Sequence, residues 1–182
     1  MRGIVSQSEG KLDFDFYILT SGAVILDKHK NVLYEKSIPY ETMVEIAEKY
    51  QQERDVWVHC HHKLYVVNEV ASIRFKQEKV SSFKELPKDL ISGISFQMES
   101  EAIAEQVCRT IHHKYPDVEA FYNDAYVDVV ARGVSKGNAL KKYAELTLPT
   151  KTYGIGDNYN DLTLFEGADV SYSFSYSPKE VQ

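Results

Sequence analysis

One short stretch, Gly154-Ile155-Gly156-Asp157-Asn158-Tyr159-Asn160-Asp161-Leu162, constrains this chain more than any other. Tyr153 to Ile155 is β-prone and flanked by glycine, which reads as a strand end. Asp157 falls just past that end, and Asp161 and Leu162 open a segment, through Leu164 and Phe165, that starts a helix. In open α/β sheets ligands bind where strands give way to helices, at the strands' carboxyl ends. Asp157, Asp161 and Asn160 would bring two carboxylates and an amide to that place. Such an oxygen-rich set suits Mg2+, with water and phosphate completing its shell. Asn and Asp are also ordinary turn and cap residues, so a plain strand-turn-helix corner accounts for the same letters. An EF-hand calcium loop does not, because Tyr159 stands where Asp or Asn is required and Leu162 where glycine is.

The rest of the chain alternates short strand and helix patterns. Phe14 to Leu19 and Ala23 to Leu26 read as strands broken at Thr20-Ser21-Gly22, and Val32 to Tyr34 pairs back as a hairpin. Glu41 to Gln52 carries Met43, Ile46, Ala47 and Tyr50 at helical spacing. Val56 to Cys60 and Leu64 to Val70 are strand-like, Pro87 and Gly93 bracket a loop, and Ile94 to Met98 alternates like a half-buried strand. Ser100 caps a helix to about Tyr115 with Ile103, Val107 and Ile111 on one face. Val118 to Tyr122 and Tyr126 to Val130 form two strands joined at Asn123-Asp124. The expected fold is α/β: a middle unit over residues 38–130, inserted between two pieces of another domain, 1–37 and 131–182.

Ser135 caps a further helix, with Leu140, Tyr143, Ala144 and Leu148 expected to face inward. Lys136 then falls in its first turn, where the helix dipole disfavours a cation. An adjacent anion offsets that cost, and phosphate is a usual partner for a lysine point charge. A solvated surface lysine is the plainer alternative, costing only a few tenths to about one kcal/mol there.

Composition excludes several classes. Of 182 residues 43% are hydrophobic and 12% aromatic, which suits a packed globular chain. A net charge of -6 and the lack of a basic, aromatic-interleaved run argue against a nucleic-acid surface. No apolar stretch is long enough to span a bilayer, and Met1 to Ser6 lacks a signal-peptide core. Cys60 and Cys108 are the only cysteines, which fits a reducing cytoplasm.

Val134-Ser135-Lys136-Gly137-Asn138-Ala139-Leu140, paired with Gly156-Asp157-Asn158-Tyr159-Asn160-Asp161, resembles the third and fourth motifs of the haloacid dehalogenase (HAD) superfamily. The likeness is greatest to its Cof-type phosphatases. Thr20-Ser21-Gly22-Ala23 is similar to the Asn-Gly-Ala segment ahead of their cap, with Ser21 in place of Asn, and Tyr126 to Val130 resembles the strand returning from cap to core. The resemblance implies a Rossmann-like core, an inserted α/β cap, Mg2+, and hydrolysis of a small phosphorylated metabolite such as a sugar phosphate. It implies that Lys136 steadies the transferred phosphoryl group, Asn160 touches it, Asp157 binds Mg2+ and Asp161 supports the metal. Positioning and charge neutralisation of that kind dominate phosphoryl transfer.

One departure matters. The superfamily's Asp-x-Asp-Gly-Thr motif, which supplies nucleophile and general acid, does not occur here, nor does its second motif. Asp13-Phe14-Asp15 is no substitute, because it precedes a strand rather than ending one. The expectation is an incomplete core and a chain inactive alone, since no aspartyl-phosphate forms without the nucleophile. A complementing chain, a homodimer, or a non-catalytic remnant serving as a binding module are the alternatives. His59, Cys60, His61 and His62 form the other cluster. As one strand, it would place Trp57, His59 and His61 on a face turned to substrate, as the cap does in the resembled family, and Cys60 and His62 on the other. Zinc would need a fourth ligand.

Overall fold

The computed structural model describes residues 14–52, 54–148 and 150–182. Asp13 and the Met1 to Ser6 segment lie outside the described residues. Strands β1 (Phe16–Leu19), β2 (Val24–Asp27) and β3 (Val32–Glu35) form an antiparallel meander. Asp27 shapes the β2–β3 turn, accepting from the backbone N–H of His29 and of Asn31 at 2.8 Å each.

A six-stranded sheet dominates the molecule. It comprises β4 (Val56–Cys60), β5 (Lys63–Val66), β6 (Gln77–Lys79), β7 (Ile91–Gln97), β8 (Val118–Asn123) and β9 (Tyr126–Ala131), in the order β6-β5-β4-β7-β9-β8. All its pairings are antiparallel except β5 with β6. Helices α1 (Tyr40–Gln51) and α2 (Glu101–Lys114) cover one face of this sheet. Met43, Ile46 and Ala47 of α1 pack there with Val56, Val58, Ile94 and Phe96, and Tyr50 stacks on Phe96 with ring centroids 4.4 Å apart. Ala104, Cys108 and Ile111 of α2 join Val127, Val129 and Ala120 in the same cluster. Period-2 alternation therefore sends Trp57, His59, Gly93, Ser95, Tyr126 and Asp128 to the opposite, helix-free face.

Helix α3 (Lys136–Thr147) returns against the meander, where Tyr143 stacks on Phe16 at 3.5 Å between centroids. Strand β10 (Tyr153–Ile155), the short helix α4 (Leu162–Gly167) and β11 (Val170–Tyr172) close the chain as a strand-helix-strand unit with parallel strands. That unit is the repeating motif of Rossmann-like sheets, and the architecture is mixed α/β, as expected. No helix among the described residues is long and apolar enough to cross a membrane.

Six local expectations are corrected. Strand β4 stops at Cys60, and His61-His62, both at positive φ (47° and 58°), form a two-residue hairpin turn to β5. His62 is thus not on a strand face beside Cys60. Strand β5 ends at Val66 rather than Val70. Gly93 lies inside β7 instead of closing a loop, and β7 is buried from Ile91 to Phe96 rather than alternating, because it is the sheet's covered interior strand. In α2 the inward face is Ala104-Cys108-Ile111, while Ile103 is exposed. Leu148 is 82% exposed at a left-handed helix end rather than packed, since Pro149 follows and disfavours further helix.

Candidate functional site

The loop after β10 is built around the side chain of Asp161. A Cβ on Gly156 would lie 2.5 Å from both Cβ and Cγ of Asp161, so only glycine lets that side chain fold back beneath the strand end. Oδ2 of Asp161 accepts from the backbone N–H of Asp157 (3.0 Å) and of Asn158 (3.3 Å). The Asn158 side chain in turn accepts from the N–H of Tyr159, and the reciprocal bonds make a capping box. Oδ1 of Asp161 receives the ammonium of Lys136 at 2.5 Å. Burial alone pushes this carboxyl up, but the Lys136 hydrogen bond and charge, with the two backbone donors, hold it below the usual carboxylate range.

Lys136 is aimed there by the start of α3. Ser135 caps the helix, its hydroxyl accepting from the N–H of Asn138 at 3.1 Å. A Cβ on Gly137 would lie 1.8 Å from the carbonyl oxygen of Thr163, so α3 touches α4 backbone to backbone. A Cβ on Gly22 would lie 2.3 Å from the carbonyl oxygen of Ser135, which brings the Thr20–Gly22 turn equally close. Thr20, Ser21 and Gly22 all have positive φ, a strained run for the two non-glycine residues. From that turn the Ser21 hydroxyl reaches Oδ2 of Asp128 at 3.4 Å, while Ser95 donates to Oδ1 at 2.6 Å. Burial raises the Asp128 carboxyl, opposed by these two hydroxyls and by the charge of Lys136.

These segments open into a cleft of roughly 720 Å³ on the helix-free face of the large sheet. Ser21, Asp128, Lys136 and Asn160 line its inner part, and Trp57, His59, His61 and His62 line its wall. Among the residues singled out from the sequence, these seven are therefore brought to one cavity: Lys136, Asn160, Ser21, Trp57, His59, His61 and His62. Gly22 is buried behind its turn, Asp161 is buried under Lys136, and Asp157 is exposed at the loop, outside the cleft lining. Asp128, Ser95 and Tyr126 were not anticipated. An acid between Val127 and Val129 on an otherwise apolar strand was the available signal for the first.

The histidines divide by environment. His59 is pushed down to about 4 by burial, so it is a neutral imidazole, and its Nδ1 is buried with no partner among the described residues. His61 Nε2 lies 2.9 Å from Asp89 Oδ1, and His62 Nε2 lies 3.6 Å from Glu35 Oε2. Burial raises Glu35, partly opposed by those two imidazoles. No group of three or more His, Cys, Asp or Glu side chains positioned for a metal is found among the described residues. Both oxygens of Asp161 are engaged, whereas the carboxylate of Asp157 makes no ion pair or hydrogen bond among the described residues. One free carboxylate is the least that Mg2+ takes from protein when phosphate and water supply the rest. The residues meet that minimum through Asp157, with Asp161 bracing the loop from behind.

A family model described as haloacid dehalogenase-like hydrolase matches residues 2–182. A protein of Buchnera aphidicola subsp. Baizongia pistaciae, named "Putative phosphatase", is 28% identical over 167 residues, which cover 83% of this chain and 61% of that one. A Bacillus subtilis protein named "Putative phosphatase YxeH" is 24% identical over 190 residues, covering 92% and 67%. The chain thus spans about three fifths to two thirds of the length of these curated relatives. Among solved structures, a haloacid dehalogenase-like hydrolase from B. subtilis superposes with a TM-score of 0.83 at 17% identity, over 98% of this chain and 75% of that one. The HAD subclass IIB sugar phosphatase BT4131 gives 0.77 at 18% identity, over 97% and 70%. At these identities the structural likeness is one of fold.

Proposed function

The chain belongs to the haloacid dehalogenase-like hydrolases, and from that premise we propose that its cleft is the phosphate-ester site of a cytoplasmic phosphoric monoester hydrolase acting on a small metabolite. The observation that carries this reading is the Lys136–Asp161 pair at 2.5 Å, set beside Asn160 and Ser21 at the inner end of the cleft. Lys136 neutralises charge on the phosphoryl oxygens, and Asp161 holds the ammonium in place. The Asn160 amide donates to the same group, and the Ser21 hydroxyl joins it by turning its one proton from Asp128. Asp157 would hold Mg2+, which supplies further neutralisation of phosphate charge when bound. A sugar phosphate is one metabolite of fitting size.

The 182 residues contain no Asp-x-Asp-Gly-Thr, so the attacking carboxylate has no counterpart in this motif set. The chain alone therefore binds a phosphate ester without turning it over. A complementing chain would find an uncovered surface on β10–β11, where Tyr153, Ile155 and Tyr172 are exposed although parallel strands are ordinarily covered on both faces. The test is an assay of the purified chain with p-nitrophenyl phosphate and Mg2+, alongside binding of inorganic phosphate. Phosphate binding weakened by Lys136→Ala, without turnover, is expected. Turnover that disappears in Asp157→Ala would show that this chain carries its own nucleophile.

A further inference from the structure

We propose that the outer half of the cleft is a subsite for a flat aromatic group, so that the chain selects the phosphate ester of an aromatic alcohol over that of a sugar. This rests on reading the inner half as the phosphate site.

The shape of the subsite follows from strand register. Strand β7 presents only Gly93 and Ser95 to the middle of this face; Thr20 fills the space over Gly93, while the small Ser95 leaves room beside Trp57 and lines the cleft. On one side Trp57 pairs with Ser95 and His59 with Gly93. On the other, Asp128 pairs with Ser95, and Tyr126 follows two residues away on the same face. The Trp57 and Tyr126 rings meet edge to face, with centroids 6.2 Å apart and planes at 64°, and make an aromatic corner over that space. Leu64 and Ile73 pack with them in a hydrophobic cluster separate from the main core, and Phe75 completes the wall.

Lys63, Lys76, Glu78 and Asn123 also line the cleft, but it is the aromatic corner that favours one ligand over another. Its aromatic and aliphatic groups favour a ring that can pack edge to face or offset against them. A sugar would bring several hydroxyls, each needing a hydrogen-bond partner when buried. The Nδ1 of His59 is buried without a partner among the described residues, and because burial keeps the imidazole neutral the ring brings no charge to this wall. The charged part of the ligand is thereby sent to Lys136, and the flat neutral part to the corner.

Trp57 is the only tryptophan in the chain, so its fluorescence reports on this wall alone. The full chain with Mg2+ is titrated with phenyl phosphate, glucose 6-phosphate and benzyl alcohol. Phenyl phosphate is expected to change Trp57 emission with a Kd at least about tenfold below that of glucose 6-phosphate, and benzyl alcohol to act in the same sense at higher concentration. Tyr126→Ala should cut the preference to within about twofold. Phe75→Ser, on the loop before β6, should move it the same way if Tyr126→Ala fails to fold. A Kd for glucose 6-phosphate equal to or below that of phenyl phosphate overturns the proposal, as does a preference untouched by both substitutions. Lys136→Ala separates the two readings. If it weakens phenyl phosphate but spares benzyl alcohol, both stand. If it changes neither ligand while Tyr126→Ala weakens both, the aromatic subsite stands and the phosphate reading falls.

Discussion

The ammonium of Lys136 lies 2.5 Å from Oδ1 of Asp161, joining the first turn of α3 to a loop 25 residues further on. The same carboxylate holds two backbone N–H groups through its other oxygen. Removing it therefore strips an ion-pair partner from Lys136 and two acceptors from the loop at once. Asp161→Ala is expected to destabilise the fold by about 2–3 kcal/mol, less than for a fully buried pair because the lysine side chain is 31% exposed. Because the folded carboxyl is held below its ordinary 3.8, its contribution is complete above that pH and is lost as pH falls through the lower folded value. Urea denaturation from pH 6 down to 3 should show this loss in the native protein and not in Asp161→Asn.

Gly137 sets how closely α3 approaches α4. A Cβ there meets the Thr163 carbonyl oxygen at 1.8 Å, and one on Gly167 meets the Gly137 backbone at 2.9 Å. Both obstacles are backbone, which cannot rotate away. Gly137→Ala should therefore cost about 3 kcal/mol or more and draw Lys136 away from Asp161. Gly133→Ala is the contrast. Its Cβ finds nothing nearer than the Lys36 ammonium at 3.6 Å, so only the strain of its positive φ remains, about 1 kcal/mol. Thermal melts of the two variants measure the difference.

Sequence alone reveals this site unevenly, and the reason is range. The approach of Lys136 to the aspartate loop is written in two compact motifs whose caps, Ser135 and Asn158, act within three residues. Strand β4 is legible to the residue because Val56-Trp57-Val58 is β-prone throughout. Asp128 is not legible as a cleft residue, because its partners Ser21 and Ser95 stand 107 and 33 positions away. Burial of β7 likewise depends on strands on both sides, which no alternation within Ile94 to Met98 can reveal. The His61-His62 turn carries none of the Asn or Gly residues that ordinarily mark two consecutive left-handed positions.

His59 makes the fold sensitive to acid. Its imidazole titrates near 6.5 when unfolded but is pushed down to about 4 by burial in the folded chain. Between those values the unfolded chain binds the extra proton, so stability falls as pH falls from 6.5 to 4. The loss reaches up to about 3 kcal/mol and is complete below pH 4. His59→Gln removes the titration while keeping a polar side chain. The difference in unfolding free energy between native and variant chains should be steep across that window and flat above pH 7.

Asp128 has the opposite sign. Burial raises its carboxyl above 3.8, so the folded chain prefers the protonated form, and the contribution is lost as pH rises through the folded value. At pH 7, well above the unfolded value, the buried Asp128 carboxyl therefore costs the fold stability, offset only in part by Ser95, Ser21 and the charge of Lys136. Asp128→Asn removes that ionisable group and keeps an oxygen to accept from Ser95. It should leave stability at pH 7 unchanged or raise it by up to about 1 kcal/mol. Asp128→Ala instead leaves the Ser95 hydroxyl, which sits in a buried strand, without its acceptor, at a cost of about 1–3 kcal/mol. Opposite shifts in melting temperature for the two variants at pH 7 would establish that Asp128 is held in this position by its hydrogen bonds and against its charge.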